Sequence, residues 1–471
     1  MNLLLAATPM LLIVVMLLLR QSSTRAAAIG LIAAVAVAVW RFGLDASTSL
    51  DALGAWWPLV VEVLLIIAGG VAFAEAGRRT GAQGITASWL RGSLGTGVAP
   101  VLAIVHGATP FAESLTGFGI GAIIAVPLLI ALGFTSRKAV TIGLLGLCAV
   151  PWGSLGPGTL VAAELGGVDY QQLGVVSALY SLPVFIGVGI AAALLTAEPG
   201  KRVAGVIAAC GSGSLLCAGV LGANLLIGTP AAGAIGALLT LLVHLALSRA
   251  RGVRIQTPLG LGRALVPYEV LLGGVVAMSI LVRLLGAQET LLRYLASPTV
   301  WLFIATAVAL IGHRSHTRPT AAYTLHTWTH VGPATAMFLI FGIVMAVSGM
   351  STAVANALAS LGDGYLFALP FVGALGGFLT GSNTGANAMF ASTQASAAHL
   401  IGADPLLAMG AHNVSAALLI MAAPARVELA ARLSPEPPPR GPIMRFLLLV
   451  DLGVVAVIAL ALVSLQYLAT G

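Results

Sequence analysis

Charge is the scarcest property of this sequence. Only 8% of its 471 residues are Asp, Glu, Lys or Arg, against about 25% in soluble domains. Twenty-two basic and 15 acidic side chains cannot hydrate the surface of a globule of this length, which excludes an ordinary soluble protein. Cysteine is also rare. Cys148, Cys210 and Cys217 sit in apolar surroundings without metal-ligand spacing, so they read as small core residues and no metal site is expected. No phosphate-binding loop, His-Glu-x-x-His run or nucleophile elbow occurs, so an enzyme is not expected. Without a nucleotide-binding domain, any transport has to be secondary or passive. The formal charge of +7 does not call for nucleic acid as a partner, because the basic residues are scattered through short loops, as cytoplasmic retention of membrane loops produces.

Apolar sequence takes the place of charge. Hydrophobic residues make up 59% of the chain, and its mean hydropathy is +1.04. A helix that spans a bilayer needs about 20 mostly apolar residues. Met1–Leu19, Trp57–Ala76, Val175–Thr196, Leu225–Leu247, Ala264–Leu281 and Phe446–Ala469 meet or nearly meet that length. The first run has no preceding basic residue and no small-residue cleavage site, so it reads as a retained span. The composition therefore predicts an all-α polytopic membrane protein with the lipid bilayer as its main partner. About 11–14 transmembrane segments are expected, in a single domain covering 1–471. Basic residues orient the loops: 249–263, 313–330 and 432–445 are expected in the cytoplasm. His313, His316, His326 and His330 have no recurring metal spacing and are read as parts of the second of these loops. Arg20 and Arg25 suggest an outside N-terminus, and the loop carrying Arg283 and Arg293 against Glu289 is less biased.

Two stretches interrupt the pattern. Gly95–Gly121 and Pro370–Gln394 are apolar enough to enter a membrane but crowded with glycine and small polar residues. Non-helical backbone survives at membrane depth only where protein or a watery cavity satisfies it, so each stretch predicts a re-entrant hairpin or broken helix. The two share Ser-x-Thr-Gly, at Ser114–Gly117 and Ser382–Gly385, in opposite halves of the chain. Paired interruptions of this kind point to a transporter binding site. They imply two inverted repeats, approximately 26–248 and 264–471.

Within the second stretch, at about 100° per residue, Asn387 falls roughly 40° and Gln394 roughly 20° from Asn383. Three amides on one face serve either a polar substrate or hydrogen bonds between packed helices. Glu113 lies in an apolar stretch, where a carboxylate costs on the order of 2.5–3.5 kcal/mol. It reads as a proton-coupling group or as a helix cap. Glu62 and Glu75 carry weaker versions of the same argument, and Glu75 has Arg78 and Arg79 as candidate partners. Arg426 either clamps a carboxylate or snorkels to the interface. His412 and Asn413 are candidates to line a cavity.

These motifs resemble the lactate permease family, whose members carry lactate and glycolate. The family's first signature is echoed by Glu113-Ser114-Leu115-Thr116-Gly117-Phe118-Gly119 and by Leu132-Gly133-Phe134. Its second is matched by Phe378-Leu379-Thr380-Gly381-Ser382-Asn383-Thr384-Gly385-Ala386-Asn387-Ala388-Met389-Phe390 with Gln394. The Trp152–Gly156 segment is also similar. Asn383 stands where the family usually has Asp, Ser114 where it has Gly, Ile120-Gly121 where it has Thr/Ala-Pro, and Arg426 where an uncharged residue is commoner. The resemblance implies uptake of a small 2-hydroxymonocarboxylate with protons across a bacterial inner membrane, without a cofactor. Sodium coupling of another organic anion, or a passive anion channel, is the alternative. It also implies kinship with citrate, dicarboxylate and arsenite carriers, which bear Ser-Asn-Thr at the tips of two inverted hairpins. On this reading Ser114, Thr116, Gly117, Gly119, Thr380, Ser382, Asn383, Thr384, Asn387, Gln394 and Arg426 bind substrate, and Glu113 carries the proton. Self-association into a homodimer is left open.

Overall fold

The computed structural model describes residues 2–117, 119–255, 257–286 and 290–470. Phe118 of the first motif and Glu289 of the less biased loop lie outside them. The described residues form helices and connecting segments only. In chain order the α-helices are α1 (Asn2–Leu18), α2 (Ser23–Arg41), α3 (Ala46–Arg79), α4 (Ala82–Ser93), α5 (Val98–Ala103), α6 (Thr109–Thr116), α7 (Ile120–Ala131), α8 (Ser136–Leu145), α9 (Pro157–Gly166) and α10 (Tyr170–Thr196). They continue as α11 (Arg202–Leu226), α12 (Thr229–Ala250), α13 (Leu261–Leu284) and α14 (Pro298–Leu310). The last seven are α15 (Arg314–Val347), α16 (Met350–Ala359), α17 (Asp363–Thr380), α18 (Asn383–Ile401), α19 (Pro405–Leu419), α20 (Pro424–Arg432) and α21 (Arg440–Thr470). A π turn, Ile104–Ala108, joins α5 to α6, and 3₁₀ segments follow α8 (Leu147–Leu155) and α19 (Ile420–Ala422). Among the described residues, eleven helices are long and apolar enough to cross a membrane, or twelve if α8 and its bent 3₁₀ continuation form one span. This falls within the expected range.

Element order recurs along the chain. From α3 to α10 the series runs through a 34-residue helix, a short helix, a helix ending in Leu-Thr-Gly, a break, two more helices with a 3₁₀ end, a short proline-initiated helix and a long helix. The same series runs from α15 to α21. In this register Leu115-Thr116-Gly117 corresponds to Leu379-Thr380-Gly381, not to Ser382–Gly385 as the shared Ser-x-Thr-Gly suggested. Both glycines have left-handed backbone, at φ +67° and +62°, and each preceding threonine bonds back to the carbonyl four residues earlier. The two long helices α3 and α15 pack together, and α18 packs on α9 of the first series while α20 packs on α8 and α7.

One expectation is corrected. Residues 314–330 form the first five turns of α15 rather than a loop, because their His, Arg and Thr residues tolerate helix while one face packs on α3 and α2. Each glycine-rich stretch carries a broken helix, as expected: described non-helical residues lie at Gly95–Gly97, Gly117 and Gly119 in the first and at Gly381–Ser382 in the second. Most of the other glycines allow close packing: a methyl on Gly373 of α17 would stand 2.6 Å from the His412 carbonyl oxygen of α19. The run beginning at Leu225 straddles the end of α11 and all but the last turn of α12.

The α11–α12 hairpin uses the same device. A methyl on Gly219 would lie 2.9 Å from Gly236 Cα, so the two backbones touch, as small residues permit in membrane bundles. Gly219→Leu should lower the thermal unfolding midpoint of the detergent-solubilised protein, since overpacking costs about 1–3 kcal/mol. Gly222→Leu, where nothing stands within 4 Å, should leave the midpoint unchanged.

Candidate functional site

A cavity of about 700 Å³ opens where the two breaks meet. Its wall includes Glu113 and Gly117 from the first break, Thr380 to Gly385 from the second, and Ser154, Gly158 and Arg426 between them. Helix α3 adds Glu75 and Arg78, and α15 adds Tyr323, Thr327 and His330.

Glu113 is 4% exposed. Its carboxylate accepts the amide of Gly119 through Oε1 at 2.9 Å and that of Gly121 through Oε2 at 3.1 Å. It therefore caps the helix that follows the break, α7, whose first-turn N–H groups have no intrahelical acceptor. Arg426 approaches the same glycine from the other side: a methyl on Gly119 would meet its Nη1 at 2.7 Å. Its Nη2 donates to the Gly381 carbonyl at 3.2 Å. One guanidinium thus bridges both breaks, on the cavity wall rather than at a lipid interface.

At the second break the Ser382 hydroxyl caps α18 by accepting the Gly385 amide at 3.2 Å. Thr380 Oγ1 accepts from Ser382 N at 3.2 Å and donates within the same turn. The amides of Asn383 and Thr384 head the helix with no intrahelical acceptor, and no acidic residue plays Glu113's part there. Asn383 and Asn387 donate to one acceptor, Asn413 Oδ1, at 2.9 and 3.0 Å. Asn387 also donates to the Gly158 carbonyl at 3.0 Å.

The structure divides the expected binding set. Gly117, Thr380, Ser382, Asn383, Thr384 and Arg426 line the cavity, with Glu113 beside them, while Gly119 supports Arg426 from behind. Ser114 faces the other way, its hydroxyl against Gly233 of α12, and Thr116 spends its hydroxyl on the Ala112 carbonyl at 2.5 Å. Asn387 lies behind the wall. Gln394 clamps α17 by bonding Tyr365 and the Leu369 carbonyl. It shares a helical face with Asn383 but lies eleven residues, roughly 16 Å, farther along the axis. His412 and Asn413 are buried in α19, and only Asn413 reaches the amides of the break. Glu62 accepts from Ser297 at 2.9 Å.

Sequence reasoning missed Ser154, a non-glycine residue at φ +46°, a backbone state that costs about 1–3 kcal/mol and gathers at functional sites. It also missed His330, assigned to a loop, and Thr159 and Ser177, which hold Asn413. Glu75 is paired with both Arg78 and Arg79, at 2.7 and 2.6 Å. Of these, Glu75 and Arg78 line the cavity.

Several known proteins are similar to this chain. The L-lactate permease of Streptococcus iniae is 27% identical over 343 residues, covering 65% of this chain and 71% of that protein. The L-lactate permease of Salmonella typhi is 42% identical over 94 residues, 20% of this chain, and the match spans only 17% of that relative's length. The glycolate permease GlcA of Escherichia coli K12 is 44% identical over 77 residues, 16% of this chain and 14% of that protein. Among solved structures, the YdaH transporter of Alcanivorax borkumensis aligns over 91% of this chain and 90% of its own, at 14% identity and a TM-score of 0.47. The L-lactate permease family profile matches residues 2–254 and 273–469, nearly the whole chain, and this multi-pass membrane protein belongs to that family.

Proposed function

We propose that this protein is a secondary carrier of a small 2-hydroxymonocarboxylate such as lactate or glycolate, moving it with a proton across the bacterial inner membrane. The observation that carries the reading is the convergence of Glu113 and Arg426 on Gly119, at the wall of a cavity shared by two helix breaks. The family and the named substrates of its members support the cargo.

Charge balance links proton to anion. In the empty site Glu113 and Arg426 sum to zero. A substrate carboxylate alone would leave one uncompensated negative charge, and a proton on Glu113 alone one uncompensated positive charge. Together they restore neutrality. An isolated charge at membrane depth costs on the order of 2.5–3.5 kcal/mol, so the half-loaded states are the ones that resist reorientation. The substrate carboxylate sits at the open N-terminus of α18, on the amides of Asn383 and Thr384 and the Arg426 guanidinium. The two halves act as inverted repeats, and alternating access comes from one bundle moving against the other.

In proteoliposomes, labelled lactate or glycolate should accumulate under an inward proton gradient; accumulation that follows a sodium gradient instead assigns the other coupling ion, and no uptake under either rejects the reading. Glu113→Gln should abolish accumulation while sparing lactate–lactate exchange, and an unchanged pH dependence of uptake removes the role of Glu113. Arg426→Gln should cut uptake roughly 10- to 100-fold, the loss of a charge-assisted hydrogen bond worth about 1.5–3 kcal/mol. Wild-type rates in that variant would place the carboxylate elsewhere.

A further inference from the structure

Amide groups at the second break are oriented by carbonyls that can only accept. The Gly158 carbonyl requires the Asn387 amide to present Nδ2. The second hydrogen of that Nδ2 goes to Asn413, so Asn413 must present Oδ1. An independent anchor agrees. Thr159 gives its hydroxyl hydrogen to the Pro151 carbonyl at 2.6 Å, so its oxygen accepts, and Asn413 meets it with Nδ2 at 3.0 Å. Asn413 is then saturated: Nδ2 also donates to Ser177, and Oδ1 accepts from both Asn387 and Asn383. Asn383 therefore has to turn Nδ2 toward Asn413, which leaves its Oδ1 over. That oxygen, like Asn387 Oδ1, is closed off from solvent and has no hydrogen-bond partner among the described residues; of the two residues Asn383 is the one that stands in the cavity wall.

A buried acceptor without a donor is a free-energy deficit of about 1–3 kcal/mol. A carboxylate cannot make it good, having no hydrogen to give. A hydroxyl on the carbon next to the carboxylate can, and it would lie in the same helical turn as the amides that hold the carboxylate. We propose that Asn383 Oδ1 is a hydroxyl-reading subsite, which accepts the 2-hydroxyl of the enclosed substrate and so separates 2-hydroxy acids from 2-oxo acids and unsubstituted acids. The inference rests on the carrier reading above. Asn413, Asn387 and Thr159 are positioning residues: they touch no substrate, and they fix which end of the Asn383 amide is left over.

The test is competition against labelled lactate uptake in proteoliposomes, with glycolate, pyruvate and propionate as competitors. Glycolate should compete well, and pyruvate and propionate roughly tenfold or more less well. Asn383→Ala should weaken lactate and glycolate while leaving propionate where it was, so that the preference collapses. Asn383→Asp keeps an acceptor and should keep the preference. Asn413→Leu leaves Asn383 intact but frees its amide to turn, and should erode the preference too. Wild-type protein on which propionate competes as well as glycolate overturns the subsite while lactate transport stands, as does a preference that survives in Asn383→Ala. A preference that depends on sodium would assign the leftover oxygen to a cation and overturn it equally. Uptake of none of these acids overturns the carrier reading and this inference together.

Discussion

Two helix breaks inside an apolar bundle leave backbone amides and carbonyls that lipid cannot satisfy, and much of the architecture answers that constraint. At the first break a carboxylate takes up the amides of Gly119 and Gly121. At the second a serine hydroxyl, a threonine hydroxyl and a guanidinium serve the same purpose. Each break is closed by a short proline-initiated helix from the other half of the chain, α20 over the first and α9 over the second. Those helices can come close only because a glycine meets them or belongs to them: Gly119 lies under Arg426, and Gly158 under Asn383.

Corresponding places in the two series of helices differ in charge. The N-terminus of α7 is filled by the chain's own carboxylate, whereas that of α18 is headed by uncharged residues facing the cavity. A helix N-terminus attracts anions wherever it lies. On the carrier reading proposed above, filling one and leaving the other open makes the site asymmetric, with an internal anion on one side and room for an external one on the other. Arg426 stands between them and touches both breaks.

Membrane class, span number and both interruptions were legible in the sequence, as was the placing of Glu113 and Arg426 away from lipid, at the cavity wall. They depend on composition and on local failures of an apolar pattern, which a linear reading detects. Orientation was not legible. Ser114 and Gln394 belong to the right segments but face α12 and α17, because helical phase says which residues share a face and not what that face meets. Asn383 and Gln394 share a face and still act at different depths. Thr159 and Ser177 escaped because they come from two helices, α9 and α10, far from Asn413 of α19 in the chain. The polar start of α15 looked like a loop since hydropathy measures preference for lipid, not for helix.

The π turn at Ile104–Ala108 has a consequence for Glu113. It admits about one residue more than an α-turn, which advances everything after it by roughly 100° around the axis. His106, at its centre, is fastened to the Phe185 carbonyl at 2.9 Å and to Ser212 at 2.8 Å. The direction in which Glu113 points is thus decided seven residues upstream, by a surplus residue pinned in place. Were that turn to relax into regular α-helix, the carboxylate would swing away from Gly119 with no change in its own turn, making the bulge a rotary setting for the site.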